Sequence, residues 1–351
     1  MIPKTQASNH LALAENPPSP PLWVTELRQA IRDPLELCRE VGLDPQTLDT
    51  PAEGLQAGHQ LFQTLVPRPF IQRMQKGDPK DPLLLQVLPQ SRETQHWPGF
   101  TQDPLEEASA NPLPGLIHKY SSRVLLTLAG SCAVNCRYCF RRHFPYAENS
   151  LGQEALDRIL DYLNRDSRIN EVILSGGDPL ATSDKRLASV VKKLESIPHL
   201  KRLRIHTRLP VVLPSRVDTR LLDWLSSGRL DKVMVIHINH PNEIDTSLEA
   251  ALADLRGIGV TLFNQSVLLR GVNDDPEILA ELSEKLFSLK VLPYYLHAFD
   301  PVEGAAHFAL EDTAAQQLYQ QLLARLPGYL VPRLVREFPD RPSKTPLGWS
   351  F

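Results

Sequence analysis

The stretch Ser131-Cys-Ala-Val-Asn-Cys-Arg-Tyr-Cys-Phe140 holds three of the chain's four cysteines within eight residues: Cys132, Cys136 and Cys139. Their spacing is C-x3-C-x2-C, with an aromatic residue before the third. Three thiolates on one short loop can hold three corners of a [4Fe–4S] cube and leave the fourth iron without a protein ligand. An iron with an open site can bind and reduce a small molecule, so the spacing points to chemistry. Two other readings stay open here. A zinc site needs a fourth ligand, which His143 could supply, and the thiols could be incidental. A disulfide framework is disfavoured, because four cysteines in 351 residues are sparse. Cys38, far upstream on a helix-like stretch, reads as a small buried hydrophobe.

Around this loop the chain alternates strand and helix patterns. Apolar strand runs cover 124–128, 171–174, 203–206, 233–238, 261–269 and 291–296. Helical periodicity covers 153–164, 184–196, 219–226, 246–255, 276–289 and 314–326. Six βα units in series predict a parallel sheet, because each crossover helix returns the chain to the same end. In such sheets ligands meet the loops that follow the strand C-termini. The cysteine loop follows the first run and Ser175-Gly-Gly-Asp-Pro179 follows the second, so both fall on one rim. Before residue 115 the texture differs, with 17 of the 31 prolines. That predicts short helices joined by extended loops. One runs from Trp23 to Ile31, and another passes through Cys38, capped by Asp33 with Pro34 at its first position. Asn16-Pro-Pro-Ser-Pro-Pro21 reads as a polyproline or mobile stretch. The expected divisions are 1–115, helices and loops; 116–330, the βα units; and 331–351, a C-terminal segment.

Hydrophobic content of 42% and charged content of 23% are those of an ordinary globular protein. A net charge of −3 and a pI near 6.4 leave no electrostatic footprint for nucleic acid. No apolar run approaches the ~18 residues of a membrane span, and Met1 to Ser8 lacks an apolar signal core. Clustered thiols without an export signal lead to the expectation of a reducing cytoplasm.

With its aromatic and its place after the first of six strands, the cysteine motif resembles that of the radical S-adenosylmethionine (SAM) enzymes. The resemblance implies a partial (β/α)6 barrel with a helical, proline-rich N-terminal extension, a [4Fe–4S] cluster on Cys132, Cys136 and Cys139, and SAM on the open iron. Ser175, Gly176, Gly177 and Asp178 resemble the motif for the SAM amino group; glycine allows close backbone approach, and Asp178 adds a carboxylate acceptor. Read alone, Gly176-Gly177 is a tight strand-to-helix turn. His237 and Gln265, at strand ends, match SAM contacts in the same way, although core histidines and glutamines are common at such places.

Further stretches are similar to the lysine 2,3-aminomutases: Cys136-Arg-Tyr-Cys-Phe-Arg-Arg142, Arg208-Leu-Pro-Val-Val-Leu-Pro214, His237-Ile-Asn-His-Pro-Asn-Glu243, Asn264 to Asn273, and Tyr294-Tyr-Leu-His. The resemblance runs from about His118 to Pro346. It implies a second cofactor, pyridoxal 5'-phosphate (PLP), bound as a Schiff base to Lys344 in Pro342-Ser-Lys-Thr-Pro346. The family's glycine run before this lysine is replaced by Asp340-Arg-Pro-Ser, which implies a stiffer loop. An amine that attacks an aldehyde must first lose its proton, which burial favours. Lys119 and Arg123 match the cations for the PLP phosphate; otherwise they are exposed strand ends. Arg141 matches the arginine for the substrate carboxylate, a task for a bidentate guanidinium; otherwise it pairs with a nearby acid. Asp300 and Glu337 match the two acids for the far ammonium of lysine, Glu337 standing where the family has aspartate. Without the resemblance Asp300 is a turn residue before Pro301.

Asp275 stands where fermentative aminomutases have a zinc-ligating cysteine, and the sequence ends at Phe351, seven residues after Lys344. Both lead to the expectation that the zinc site and the oligomer-building tail are absent. The short form is similar to the aminomutase of the elongation factor P β-lysylation pathway. It implies conversion of (S)-α-lysine to (R)-β-lysine, a separate ligase that attaches the product to the factor, and an electron donor for the cluster. The alternatives are action on another diamino acid, action on lysine already attached to the factor, and a non-catalytic aminomutase-like binding protein.

Overall fold

A computed structural model describes residues 19–149, 151–339 and 341–348. The first eight residues, residues 16–18 of the expected polyproline stretch and Asp340 lie outside them.

The N-terminal region is built from α1 (Leu22–Arg28), α2 (Pro34–Glu40), α3 (Ala52–Leu61), α4 (Arg68–Ile71) and α5 (Pro82–Leu85). Proline sets these limits. Asp33 accepts from Leu35 N at 3.1 Å with Pro34 at N1, as expected, and Asp81 caps α5 in the same way ahead of Pro82. The sheet region then runs β1 (Leu116–Tyr120), β2 (Arg123–Ala129), α6 (Gln153–Arg165), β3 (Glu171–Gly176), α7 (Asp184–Glu195), β4 (Arg202–Thr207), α8 (Leu209–Val212), α9 (Thr219–Ser226), β5 (Asp231–His237), α10 (Thr246–Gly257), β6 (Thr261–Val267), α11 (Pro276–Ser288), β7 (Leu292–His297), α12 (Asp312–Arg325), β8 (Arg333–Arg336) and β9 (Thr345–Pro346).

All nine strands form one sheet in sequence order. β2 through β8 are parallel, and β1 and β9 flank them antiparallel. The six expected strands are β2 to β7. The antiparallel edges and the seventh parallel strand, β8, go beyond the six expected units. The helices cover the sheet with one apolar face each; in α6, Leu156, Ile159 and Leu163 recur at helical spacing and are buried. Asp275 caps α11 through Glu277 N at 2.7 Å.

The described part of the N-terminal region shares the core of the sheet. Ile31, Leu37, Cys38, Leu55 and Phe70 belong to the same buried cluster as Leu126, Leu174, Ile205 and Met234 of the sheet. Cys38 is fully buried, and burial pushes its thiol up to about 11, so it packs as an inert hydrophobe. Among the described residues no helix is long and apolar enough to cross a membrane.

Candidate active site

The cysteine loop leaves β2 and is gripped from outside by the N-terminal region. Arg137 and Glu93 are fully buried and paired through Nη2 and Oε2, with a second bond from Nε to Oε1 of 2.9 Å. Arg137 also donates to the carbonyls of Phe62 at 2.5 Å and Gly58 at 2.9 Å. Arg142 shares Glu93 at 2.8 Å and reaches the Gly304 carbonyl at 2.8 Å. Backbone bonds from Asn135 N to Leu65 O (3.0 Å) and from Arg137 N to Gln86 O (2.9 Å) complete the grip. Loop position is therefore set by residues 58–93, where the sequence shows no periodic signal.

The three thiols suit a cluster. Burial, then Cys139 and Asp178, push Cys132 well above the ordinary thiol value; burial, then Cys136, push Cys139 up to about 11. Cys132 and Cys139, raised in this way, ionise readily beside a cationic partner, which iron supplies. Among the described residues no three His, Cys, Asp or Glu side chains gather about one ion. A cube takes each thiolate on a different iron, so it does not require such convergence. The histidine considered for zinc, His143, has Nε2 3.2 Å from the Glu303 carbonyl.

The glycine motif packs against this loop, and the contacts it makes here are with protein. A Cβ on Gly177 would lie 2.3 Å from Ser131 O, and one on Gly176, whose φ is +109°, would lie 2.9 Å from Thr127 Cα. The close approach is thus made to protein backbone. Gly177 N bonds Ala129 O at 2.8 Å, Asp178 N bonds Ser131 O at 3.0 Å, and Tyr146 Oη donates to Gly176 O at 2.8 Å. The Asp178 carboxylate is buried and receives Leu180 N (3.0 Å), Thr207 Oγ1 (2.7 Å), Arg208 N (2.7 Å) and Leu209 N (2.8 Å). Those donors fill its acceptor sites and make it the brace of the turn after β4. Ser175 faces the site, with Oγ 3.2 Å from Arg141 Nη1.

His237 and Gln265 are register partners on β5 and β6. The His237 ring stacks on Tyr138, the aromatic before the third cysteine, with centroids 5.6 Å apart and Nε2 3.1 Å from the hydroxyl. Burial, then Arg208, lower His237 to about 3, so its imidazole is neutral. His237 therefore stands beside the cysteine loop, with Gln265 opposite it on the neighbouring strand.

Of the remaining candidates, Lys344, Glu337, Lys119 and Arg141 form one chain of charges completed by Glu107. The Lys344 ammonium pairs with Glu337 Oε2. Glu337 Oε1 lies 2.8 Å from Lys119 Nζ, which is 3.7 Å from Glu107 Oε1. Glu107 takes Arg141 in a side-on pair, Nε and Nη2 each at 2.7 Å. β9 explains the first link: Arg336 faces Thr345 across the β8–β9 ladder, which carries Glu337 towards Lys344. Burial alone would raise Glu337, yet Lys344 and Lys119 pull it down to about 2. Burial pushes Asp300 up to about 7, with Lys344 opposing and Glu337 adding to the rise. Lys119 is thus held by two carboxylates. Among the described residues Arg123 makes no ion pair; its guanidinium lies 4.1 Å from the Tyr120 ring centroid. Arg141 pairs with Glu107 and keeps its outer Nη1 edge towards Ser175. A cavity of about 510 Å3 reaches this Glu107–Arg141 pair from the side of residues 102–114.

Glu107, Glu93, Arg208 and His206 were not singled out from the sequence. His206 lines the site on β4; burial, then Arg204, Lys344 and Arg141, hold it far below the usual histidine range, and its Nε2 has no partner among the described residues. Only Arg208 carried a signal, as the first residue of Arg208-Leu-Pro-Val-Val-Leu-Pro214.

A family model described as the Radical SAM superfamily matches residues 126–283. The L-lysine 2,3-aminomutase of Haemophilus influenzae is 50% identical over 92% of this chain and 94% of its own length. That of Escherichia coli K12 is also 50% identical, over 95% of this chain and 96% of its own. The Clostridium subterminale L-lysine 2,3-aminomutase is 35% identical, over 93% of this chain and 77% of its own.

Proposed function

The chain belongs to the L-lysine 2,3-aminomutase family of radical SAM isomerases, and we propose that it converts free (S)-α-lysine to (R)-β-lysine with PLP on Lys344. The observation that carries this reading is the run Lys344–Glu337–Lys119–Glu107–Arg141. It links an amine fit for a Schiff base to an arginine on the cluster loop. Lysine presents one carboxylate and two ammonium groups, and the site offers complementary charge for each end.

When bound, the cluster and SAM supply a hydrogen-abstracting radical, and PLP supplies an aldehyde carbon able to hold the migrating nitrogen. The chain's own residues bind, orient and move protons. A guanidinium has five donors. Glu107 engages Nε and one hydrogen of Nη2, so the Nη1/Nη2 edge of Arg141 remains able to grip the substrate carboxylate end-on. Asp300 and Glu337 hold the far ammonium. Lys344 must lose a proton before it attacks an aldehyde. Glu337, at about 2, stabilises the charged amine, whereas Asp300, at about 7, can take up a proton near neutral pH. Arg123 and Lys119 would hold the PLP phosphate, Lys119 by leaving Glu107 or Glu337. His237, Gln265 and Ser175 line the SAM side. Exclusion of water and alignment of the reacting carbon supply the remaining advantage.

Formation of β-lysine for a ligase that modifies elongation factor P, in the cytoplasm and with a cellular electron donor for the cluster, completes the proposal. Anaerobic assays with SAM, PLP and dithionite, given free lysine, ornithine or lysyl-factor, test it. β-Lysine from free lysine supports the reading. Turnover of ornithine or lysyl-factor in its place would move the substrate, and no turnover of any of them would favour a binding role.

A further inference from the structure

We propose that Arg208 tunes the reduction potential of the iron–sulfur cluster through a charged hydrogen bond to the Cys136 sulfur. Arg208 Nη1 lies 2.7 Å from Cys136 Sγ and 2.5 Å from Tyr138 Oη. Nη2 reaches Gln86 Oε1 at 2.7 Å and Glu243 Oε2 at 3.0 Å. The side chain is buried, with Phe70 and Tyr138 rings beside the guanidinium at 5.4 Å and 5.5 Å. Its backbone is fixed by Asp178, which accepts from Arg208 N at 2.7 Å. Four elements thus aim one guanidinium at one thiolate: the glycine loop, the turn after β4, α5 with Gln86, and the loop after β5 with Glu243.

Among the described residues the one carboxylate paired with this guanidinium is Glu243, held on the far nitrogen by Gln86 Nε2 (3.2 Å) and by Asn239 N (2.9 Å) and His240 N (3.1 Å). The nitrogen directed at Cys136 carries positive charge onto a sulfur in a low-dielectric surrounding, where a charge acts more strongly than in water. Hydrogen bonds to ligating sulfurs and local net charge are the protein's means of setting cluster potential. A donor that withdraws electron density from the thiolate makes one-electron reduction of the cluster easier, so its removal shifts the midpoint to more negative values. Tyr138 extends the same contact to His237, so the nitrogen that touches the cluster ligand also touches the group stacked towards the SAM side.

The effect depends on the cluster alone and is measured without PLP or lysine. Full-length protein is reconstituted anaerobically with iron and sulfide and titrated with dithionite, following the reduced cluster by electron paramagnetic resonance. Wild type, Arg208→Lys and Arg208→Gln are compared. Lysine keeps a charge opposite Glu243; glutamine removes it. The expected result is wild-type iron content with a midpoint that moves progressively negative from arginine to lysine to glutamine. An unchanged midpoint in variants that hold their iron overturns the proposal. So does loss of iron from both, which would make Arg208 a builder of the loop.

Discussion

Lys119 Nζ lies 2.8 Å from Glu337 Oε1, and the pair joins the two edges of the open sheet. Lys119 stands on β1 at one edge; Glu337 follows β8, beside the closing strand β9. Both side chains are mostly buried, at 16% and 12% exposure, so the link is stronger than a surface pair. A double-mutant cycle of Lys119→Met and Glu337→Gln should give a coupling energy on the order of 2 kcal/mol in denaturant unfolding. A coupling indistinguishable from zero would show that the edges are held by the β8–β9 ladder alone.

Glu107 fixes the plane of Arg141 through two short charge-assisted bonds. Glu107→Gln should leave iron and PLP binding intact and raise KM for lysine roughly tenfold, the worth of one hydrogen bond to a charged group. Steady-state kinetics check this, and a fall in kcat at unchanged KM would place Glu107 elsewhere in the reaction.

Gly177 has no room for a side chain against Ser131 O. Gly177→Ala should displace the cysteine loop, lower iron content after reconstitution and cost on the order of 3 kcal/mol in stability. Full iron occupancy in this variant would mean that the loop yields without strain.

Asp300, raised to about 7 by burial, keeps its proton in the folded protein between its ordinary value of 3.8 and that point. The folded state then binds more protons than the unfolded one, so this group's contribution to stability falls as pH rises through that window. Asp300→Asn should therefore raise the melting temperature of the cofactor-free protein more at pH 8 than at pH 5. An equal effect at both pH values would contradict the raised Asp300 value.

The architecture was legible because β2 to β7 are apolar runs separated by periodic helices, and a parallel order follows from that alternation. β1 was not, since Leu-Ile-His-Lys-Tyr is short and half-polar and meets β2 across Ser121-Ser122, which lack the usual hairpin residues. β8 is four residues long with arginine at both ends. The cysteine loop could be placed on the rim because its position depends only on strand order. Glu107 could not, because its importance lies in a partner 34 residues away and its own surroundings have no period. Asp178 was read as a ligand group because a carboxylate after two glycines looks free in sequence. Three of its four donors lie 29 to 31 residues downstream, at the end of β4 and in the turn after it. Pairings across long stretches of sequence leave no such trace in it.

The central claim is that one site joins a radical source on the cysteine loop to a lysine held through Lys344, Arg141 and the two acids. Lysine deuterated at C3 tests it most directly, incubated anaerobically with the reconstituted protein, SAM, PLP and dithionite, with Lys344→Ala alongside. Wild type should yield β-lysine and return SAM carrying deuterium at its 5′ carbon, and Lys344→Ala should do neither. Unlabelled SAM together with β-lysine, or β-lysine formed by Lys344→Ala, would contradict the account.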